Sequence, residues 1–210
     1  MKHEWKKHEK KLYGATAKPA VVTVPEQKFI SIAGTGDPNG PDFAERIGVL
    51  YSLAYPIKMR HKASCAADPH IAKTFDYTDW TIFPLEGVWT SPENAPLDKS
   101  RFEYVLMIRQ SDFVTKEMFA EALAVVKMKK PHPFLEQVAF EAVEEGLCVQ
   151  MLHVGPYDAE PTSFALMDEF SMESGLKREG VSHREIYLND ARKTDPAKYR
   201  TILRYRVHVA

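Results

Sequence analysis

The sequence predicts an α+β fold in which two β-α-β-β units form an antiparallel sheet, with helices on one face and a central ligand cavity. Strands are indicated where apolar residues alternate with other residues, as in KFISIAGTG (28–36) and RFEYVLMIRQ (101–110). A helix is indicated over residues 42–59, where apolar residues recur every three or four positions. The same order of elements returns after residue 146 without obvious sequence identity, which favours a structural duplication.

The first predicted unit covers about residues 28–114. Its first strand ends at a glycine-rich turn, and Pro41 then suits the first turn of the following helix. A second strand is predicted in DYTDWTIFPLEGVWT (76–90), where Pro84 interrupts the pattern. RFEYVLMIRQ supplies the third strand and completes the unit.

A helical insert is predicted over about residues 115–146, first in KEMFAEALAVVKMKK and then, after two prolines, in FLEQVAFEAVEEG. The second unit covers about residues 147–210. It contains the strand LCVQMLHVG, the helix TSFALMDEFSMESG and the strands HREIYLND and RTILRYRVHV. We therefore expect one domain over residues 1–210.

Composition limits the classes of function. The chain has 210 residues, of which 44% are hydrophobic and 27% charged, and a net charge of −1, so no basic excess favours direct nucleic-acid or membrane binding. No apolar run is long enough for a membrane span, and the charged N-terminal residues lack the apolar core of a signal peptide. Two cysteines, Cys65 and Cys148, are expected to be buried thiols, and the expected location is cytoplasmic.

Motifs for common cofactors are missing from the sequence. In Gly34–Gly40 (GTGDPNG) the third glycine comes too late for a dinucleotide fingerprint, and Pro38 removes a backbone donor. His61, Cys65 and His70 do not have the spacing of zinc ligands. We therefore expect neither a cofactor nor a metal.

The strand HREIYLND carries the strongest candidate site. Ile186 and Leu188 share one face and are expected to pack under the helices, while His183, Glu185 and Tyr187 share the other. If Glu185 is buried, it must be paired or have a raised pKa. The alternative is a solvated sheet face with ordinary polar residues.

A second carboxylate, Glu86, stands between Trp80 and Trp89 in the sequence. An acid beside large aromatic rings suits a flat ligand that is partly cationic or forms hydrogen bonds, although a strand-end glutamate can simply face water. Tyr51 and Tyr55 lie one helical turn apart and could either pack or reach a ligand. His153 could bind a ligand or satisfy a backbone carbonyl.

Several segments, taken together and in order, resemble the GyrI-like small-molecule-binding family. They extend over most of the chain: LYGATAKPAVVTVP, GTGDPN, LYSLAYPIK, FPLEGVW, LMIRQSDFVT, EGLCVQMLHVGPYDAEP, HREIYLND and RTILR. The resemblance implies a duplicated β-α-β-β fold, sometimes called SHS2-type. It also implies a cavity between the halves with an acidic residue at its floor, which corresponds to Glu185. Tyr104 stands where tryptophan is frequent in the most similar subgroup.

This subgroup of stand-alone proteins includes enzymes that hydrolyse the cyclopropane of DNA-alkylating natural products, which implies a hydrophobic aromatic small molecule as the partner. On this reading Glu185 is the base or water-orienting group, Tyr55 a proton donor and Glu86 a second ligand of the water. The expected ligand-binding residues are Trp89, Tyr104, His153, His183 and Tyr187. The alternatives are a non-catalytic ligand-binding or drug-sequestering protein, and a gyrase-inhibitor-like protein.

Overall fold

The computed structural model of the chain describes residues 2–90 and 102–210. Within these residues, nine strands form one antiparallel sheet and the long helices pack on one side of it, so the predicted α+β class is confirmed. The first residue of the predicted strand 101–110, Arg101, lies outside the described residues. The strands of the sheet are β2 Ala20–Val24, β3 Gln27–Thr35, β5 Leu85–Thr90, β6 Glu103–Arg109, β7 Ala139–Val143, β8 Gly146–Val154, β9 Leu176–Arg178, β10 His183–Tyr187 and β11 Arg200–Val209.

Two very short strands, β1 (Lys2–His3) and β4 (Asp79–Trp80), pair with each other in parallel. The helices of at least eight residues in the described part of the chain are α3 Pro41–Ala67, α5 Lys116–Lys129 and α6 Glu160–Glu173. One-turn helices α1 (Trp5–His8) and α2 (Lys10–Tyr13) precede the sheet, and α4 (Pro69–Ala72) follows α3. No helix in residues 2–90 or 102–210 is both long and apolar enough to cross a membrane.

The order of strands across the sheet is β2-β8-β11-β10-β5-β6-β3-β7, with β9 paired to β11. The elements β3-α3-β5-β6 and β8-α6-β10-β11 therefore occupy corresponding positions on the two sides of the sheet. They meet where β5 and β10 pair, with His183 opposite Trp89 and Glu185 opposite Gly87. The loops and helix ends above this central pair can therefore form a site to which both halves contribute.

Helix α3 packs on the first half of the sheet through apolar residues at helical spacing. Leu50, Leu53 and Ile57 are fully buried or nearly so, in one cluster with Ile30 and Ile32 of β3. The helix begins with Pro41, whose fixed φ and missing N–H suit that position. Helix α6 packs on the second half, where Met167 lies in a smaller cluster with Leu203 and Tyr205 of β11.

The second part of the predicted insert is not helical. Pro133–Gln137 forms a 3₁₀ turn, and β7 then pairs with the outer edge of β3. Phe140 of β7 stacks on Phe119 of α5, with ring centroids 5.6 Å apart. Pairing with β3 satisfies backbone groups that an unpaired edge would leave open, and this long-range contact outweighs the local preference for a helix.

The assignment of strand faces in β10 was also wrong. His183, Glu185 and Tyr187 lie on the face that carries α3 and α6, and Ile186 is buried on the opposite face in register with Glu86 and Ile202. Alternation correctly grouped His183, Glu185 and Tyr187, whereas Leu188 follows the end of the strand and lines the cleft with them. Alternation could not show which face the helices cover, because both faces of this strand are buried.

The N-terminal segment covers the face of the sheet opposite α3 and α6. The side chain of Arg204 donates to the backbone oxygen of Leu12 at 2.8 Å, and that of Gln150 donates to Lys11 at 3.2 Å. Arg109 contacts both Glu9 and Tyr13. The central strands are therefore enclosed on both sides, and polar side chains on either face need partners.

Candidate functional site

A cleft of about 1520 Å³ lies between α3 and α6, above the central pair of strands β5 and β10. Both halves of the sheet and both long helices contribute to its wall. Eleven of its lining side chains are aromatic, which suits contact with flat apolar ligands. These aromatic residues are Trp5, Phe43, Tyr51, Tyr55, Phe83, Trp89, Phe102, Tyr157, Phe164, Tyr187 and Tyr199.

Glu185 lies at the floor of the cleft and is only 8% exposed. Nε2 of His183 is 3.0 Å from its Oε1. The hydroxyl of Tyr187 and the carboxyl of Glu160 also interact with the Glu185 side chain. A buried carboxylate is tolerated when such partners replace its hydration, so three neighbouring groups fix the position of Glu185.

Trp89 fixes the direction of the Tyr187 hydroxyl. The indole Nε1 donates to the Tyr187 oxygen at 2.9 Å, which leaves the phenolic hydrogen available for Glu185. Burial and the nearby Glu185 charge hold the pKa of Tyr187 well above its usual value, so the phenol stays protonated. Trp89 is therefore hydrogen-bonded to Tyr187, and Tyr187 interacts with Glu185, along the floor.

A glycine makes this arrangement possible. A Cβ at Gly87 would lie 2.7 Å from Nε1 of Trp89 and 3.2 Å from the Tyr187 hydroxyl. Any larger residue would therefore press on the bond between these two side chains. Gly87 faces Glu185 directly in the strand register, so the absence of a side chain also leaves space above the carboxylate.

Glu160, the first residue of α6, is the main site residue that sequence reasoning missed. It is 6% exposed, and its Oε1 has no hydrogen-bond partner among the described residues. Burial, together with the charge and hydrogen bond of Glu185, raises the pKa of Glu160 to about 10. The raised pKa favours the neutral form of the Glu160 side chain, which lies next to the carboxyl group of Glu185.

The charged residues around the cleft are largely paired with one another. Arg178 lies 4.0 Å from Asp168, and Arg192 is 2.9 Å from Asp190. Lys58 is 3.2 Å from Asp79, at the end of the cleft near the N-terminal segment. The opposite charges in each pair compensate each other, and an exposed pair such as Arg192–Asp190 contributes little stability.

One group in the described part of the chain has the composition of a metal site. Single ligand atoms of Glu160, His183 and Glu185 lie within 4.8 Å of one another. The residues come from α6 and from alternate positions of β10, so no short spacing in the sequence could indicate them. Nitrogen and carboxylate ligands together are typical of zinc and similar divalent cations.

The structure brings most of the predicted ligand-binding residues together. Trp89, His183, Glu185 and Tyr187 form the floor, and Tyr55 of α3 lies on the wall. Tyr55 is 53% exposed, so a ligand that enters the cleft can contact this residue. The predicted grouping of one acid with aromatic residues is therefore present in the fold.

Glu86 does not line the cleft, which corrects the predicted role as a second ligand of the water. It is 1% exposed and lies on the opposite face of the sheet, where Oε2 accepts a hydrogen bond from Arg184 at 2.8 Å. The reason is that side chains alternate between the two faces along each strand. Glu86 pairs with Ile186 and shares its face, whereas Glu185 pairs with Gly87 on the other face.

His153 and Tyr104 also lie outside the cleft lining. Nδ1 of His153 is 2.9 Å from the Ser163 hydroxyl and Nε2 is 3.1 Å from the backbone oxygen of Pro156, so both ring nitrogens are used inside the fold. Tyr104 is 3% exposed and packs behind Trp89 and Phe43. These two residues support the wall but do not form it.

Comparisons with known proteins agree with the geometry. The family model described as the GyrI-like small molecule binding domain matches residues 17–208. A crystal structure of a hydrolase from Listeria innocua has 37% identity and a TM-score of 0.86, over 99% of this chain and 100% of that one. An uncharacterized conserved protein from the same organism has 38% identity and a TM-score of 0.86, over 98% and 100%.

A more distant structure shares the fold alone. The C-terminal domain of EcmrR is 15% identical with a TM-score of 0.53, over 92% of this chain and 98% of that one. No curated protein matches the sequence.

Proposed function

Because the chain belongs to the GyrI-like small-molecule-binding family, we propose that its cleft hydrolyses the cyclopropane of DNA-alkylating cyclopropanoid compounds and so protects the cell. The observation that carries this proposal is the buried Glu185 at the floor of a cleft with aromatic walls. The aromatic walls suit a flat hydrophobic ligand, and the carboxylate suits activation of water beside it.

The proposed reaction adds one molecule of water. The water oxygen bonds to the cyclopropyl carbon while the strained carbon–carbon bond breaks. The electron pair of that bond passes into the cyclohexadienone, whose oxygen takes up a proton and becomes a phenol. The attacking water gives up one proton, so the site needs a base near the cyclopropyl carbon and a donor near the dienone oxygen.

Glu185 is the proposed base. It lies in the cleft, and its contacts with His183, Tyr187 and Glu160 hold it in one orientation. Such preorganisation lowers the cost of placing the base against water in the transition state. Glu160, whose raised pKa favours the neutral form, acts as a positioning residue for Glu185.

Tyr55 is the proposed proton donor to the dienone oxygen. It lies on α3, in the wall that faces α6 across the cleft, and about half of the residue is exposed. The ring of Trp89, which also lines the cleft, provides a stacking surface on the floor. General acid–base assistance of this kind contributes roughly 10²–10⁴-fold to a rate, which is useful for an electrophile already activated by strain.

The structural relatives support hydrolysis as the reaction class. The Listeria innocua proteins that are 36% and 37% identical over nearly the whole chain are both described as hydrolases. The proposed location is the cytoplasm, where the buried thiols of Cys65 and Cys148 would stay reduced.

Mass spectrometry on a cyclopropane-bearing alkylator, incubated with catalytic amounts of the protein, tests this function. The expected product is the starting compound plus one water, formed over many turnovers and faster than in buffer. The control is serum albumin at the same concentration, which offers an apolar surface without this site. Stoichiometric binding of unaltered compound would contradict hydrolysis and support the sequestering protein.

A further inference from the structure

We infer that the floor of the cleft is also a binding site for a divalent cation of the zinc class, held by Glu160, His183 and Glu185. This inference goes beyond the proposed hydrolysis and does not depend on it. The three side chains offer one imidazole nitrogen and two carboxylate oxygens within 4.8 Å of one another. Zn²⁺ and Co²⁺ are commonly bound by this combination of ligands.

The arrangement of elements presents the three ligands on one side. His183 and Glu185 occupy alternate positions of β10, so their side chains leave the same face of the strand. Glu160 comes from the start of α6, which packs above that face. A strand that supplies two ligands and a helix that supplies the third form a rigid support for a metal.

The distances are close to those of a metal site. Nε2 of His183 is already 3.0 Å from Oε1 of Glu185. Ligand atoms around a tetrahedral zinc lie about 3.3 Å apart, given zinc–ligand bonds of about 2.0–2.1 Å. A small rotation of the two glutamate side chains would therefore bring three ligand atoms around one ion.

An unpartnered buried oxygen provides a second, independent observation. Glu160 is 6% exposed, and its Oε1 makes no hydrogen bond within the described residues. A buried polar atom without a partner is uncommon and often indicates a missing ion or water. Because Glu160 also lines the cleft, a cation there would satisfy this oxygen.

The surrounding side chains would hold the ligands in place. The Phe164 ring packs edge-on against the His183 imidazole, with centroids 4.7 Å apart. The Tyr187 hydroxyl interacts with the Glu185 carboxyl, and the indole of Trp89 donates a hydrogen bond to that hydroxyl at 2.9 Å. Such outer contacts tune metal sites. Three protein ligands that all line a cleft leave a fourth position open to water or ligand.

Titration of the untagged, EDTA-stripped protein with Co²⁺ tests the inference, with no organic ligand present. The expected result is a saturable visible absorption at one equivalent, stronger than that of the aqueous ion and abolished by excess Zn²⁺. In E160Q and H183Q the affinity should fall at least about tenfold, because each change removes a ligand. E169Q changes an exposed carboxylate of the same helix and should bind as the wild type does.

Two results would overturn the inference. One is that the wild type gives no visible absorption beyond that of aqueous Co²⁺. The other is that E160Q and H183Q both bind Co²⁺ with the affinity of the wild type. Far-UV circular dichroism shows whether the variants are folded, and E160Q, which keeps the shape of the side chain, decides the question if H183Q does not fold. Since no alkylator is added, failure of metal binding leaves the proposed hydrolysis untouched. If the protein proves not to hydrolyse the alkylator, the Co²⁺ titration can still be interpreted, because it measures metal binding alone.

Discussion

At the scale of residues, the site depends on how Glu185 is held. The grouping of His183, Glu185 and Tyr187 could be predicted, because alternation along a strand places them on one face. Glu160 could not be predicted, because it reaches Glu185 from a helix start more than twenty positions earlier in the chain. Glu86 was assigned to the site wrongly because its aromatic neighbours in sequence do not determine the face to which it points.

Replacement of Tyr187 by phenylalanine should destabilise the protein. The change leaves the buried Nε1 of Trp89 without its acceptor, which costs roughly 1–3 kcal/mol of unfolding free energy. Y55F removes a hydroxyl from an exposed tyrosine of the same cleft and should change stability by less than about 0.5 kcal/mol. Urea denaturation of both variants checks this, and equal stability of the two would contradict the hydrogen-bonded floor.

Glu160 should make stability depend on pH. Its folded pKa is raised above the unfolded value, so the folded state holds a proton that the unfolded state has lost at intermediate pH. The wild type should therefore lose stability relative to E160Q as pH rises from about 5 towards 9, by at most about 1.4 kcal/mol per pH unit. Denaturation of both proteins at pH 5 and pH 8, in EDTA, measures the difference between their free energies of unfolding. If this difference is the same at both pH values, the raised pKa of Glu160 is contradicted.

At the scale of elements, the central strands combine two requirements. They must pair tightly across the two halves, and they must leave space for the side chains of the floor. Gly87 meets both, since it pairs with Glu185 and leaves room for Trp89 and Tyr187. The strands β3, β6, β10 and β11 were predictable from their alternation. β7 was not, because its pairing with β3 is a tertiary contact with no local pattern strong enough to indicate it.

Substitution of Gly87 by alanine should disturb the floor. The new Cβ would lie 2.7 Å from Nε1 of Trp89, so either that ring or the strand must move, at a cost of roughly 1–3 kcal/mol. The control is G48A on α3, where nothing lies within 4 Å of the new atom and helix propensity should stabilise the protein by about 0.5–1 kcal/mol. Thermal unfolding with tryptophan fluorescence compares them; a G87A variant as stable as G48A would contradict the tight fit.

At the scale of the whole molecule, buried charges on the face opposite the cleft connect the two halves. Arg184 of β10 lies 2.8 Å from Glu86 of β5 and 3.0 Å from Glu145, which precedes β8. Glu145 is also 3.2 Å from Arg204 of β11. We propose that the two units, about residues 28–114 and 147–210, therefore unfold as one domain, since charges of both are desolvated together.

Removal of the Glu145 charge should be strongly destabilising. E145Q would remove a charged partner from the buried Arg184 and Arg204, which should lower the free energy of unfolding by roughly 3–5 kcal/mol. The neighbouring Glu144 is exposed, so E144Q should change the free energy of unfolding by less than about 0.5 kcal/mol. Denaturant midpoints of the two variants provide the comparison, and a small effect of E145Q would show that the network contributes little.

The most direct test of the central claim separates binding from turnover in E185Q. The substitution keeps the shape of the side chain but removes its ability to take a proton from water. We predict that the affinity for a cyclopropane-bearing alkylator, measured by quenching of tryptophan fluorescence, stays within about threefold, while turnover falls by at least about 10²-fold. E169Q should retain both properties. Undiminished turnover in a folded E185Q would contradict the assignment of Glu185 as the group that activates water.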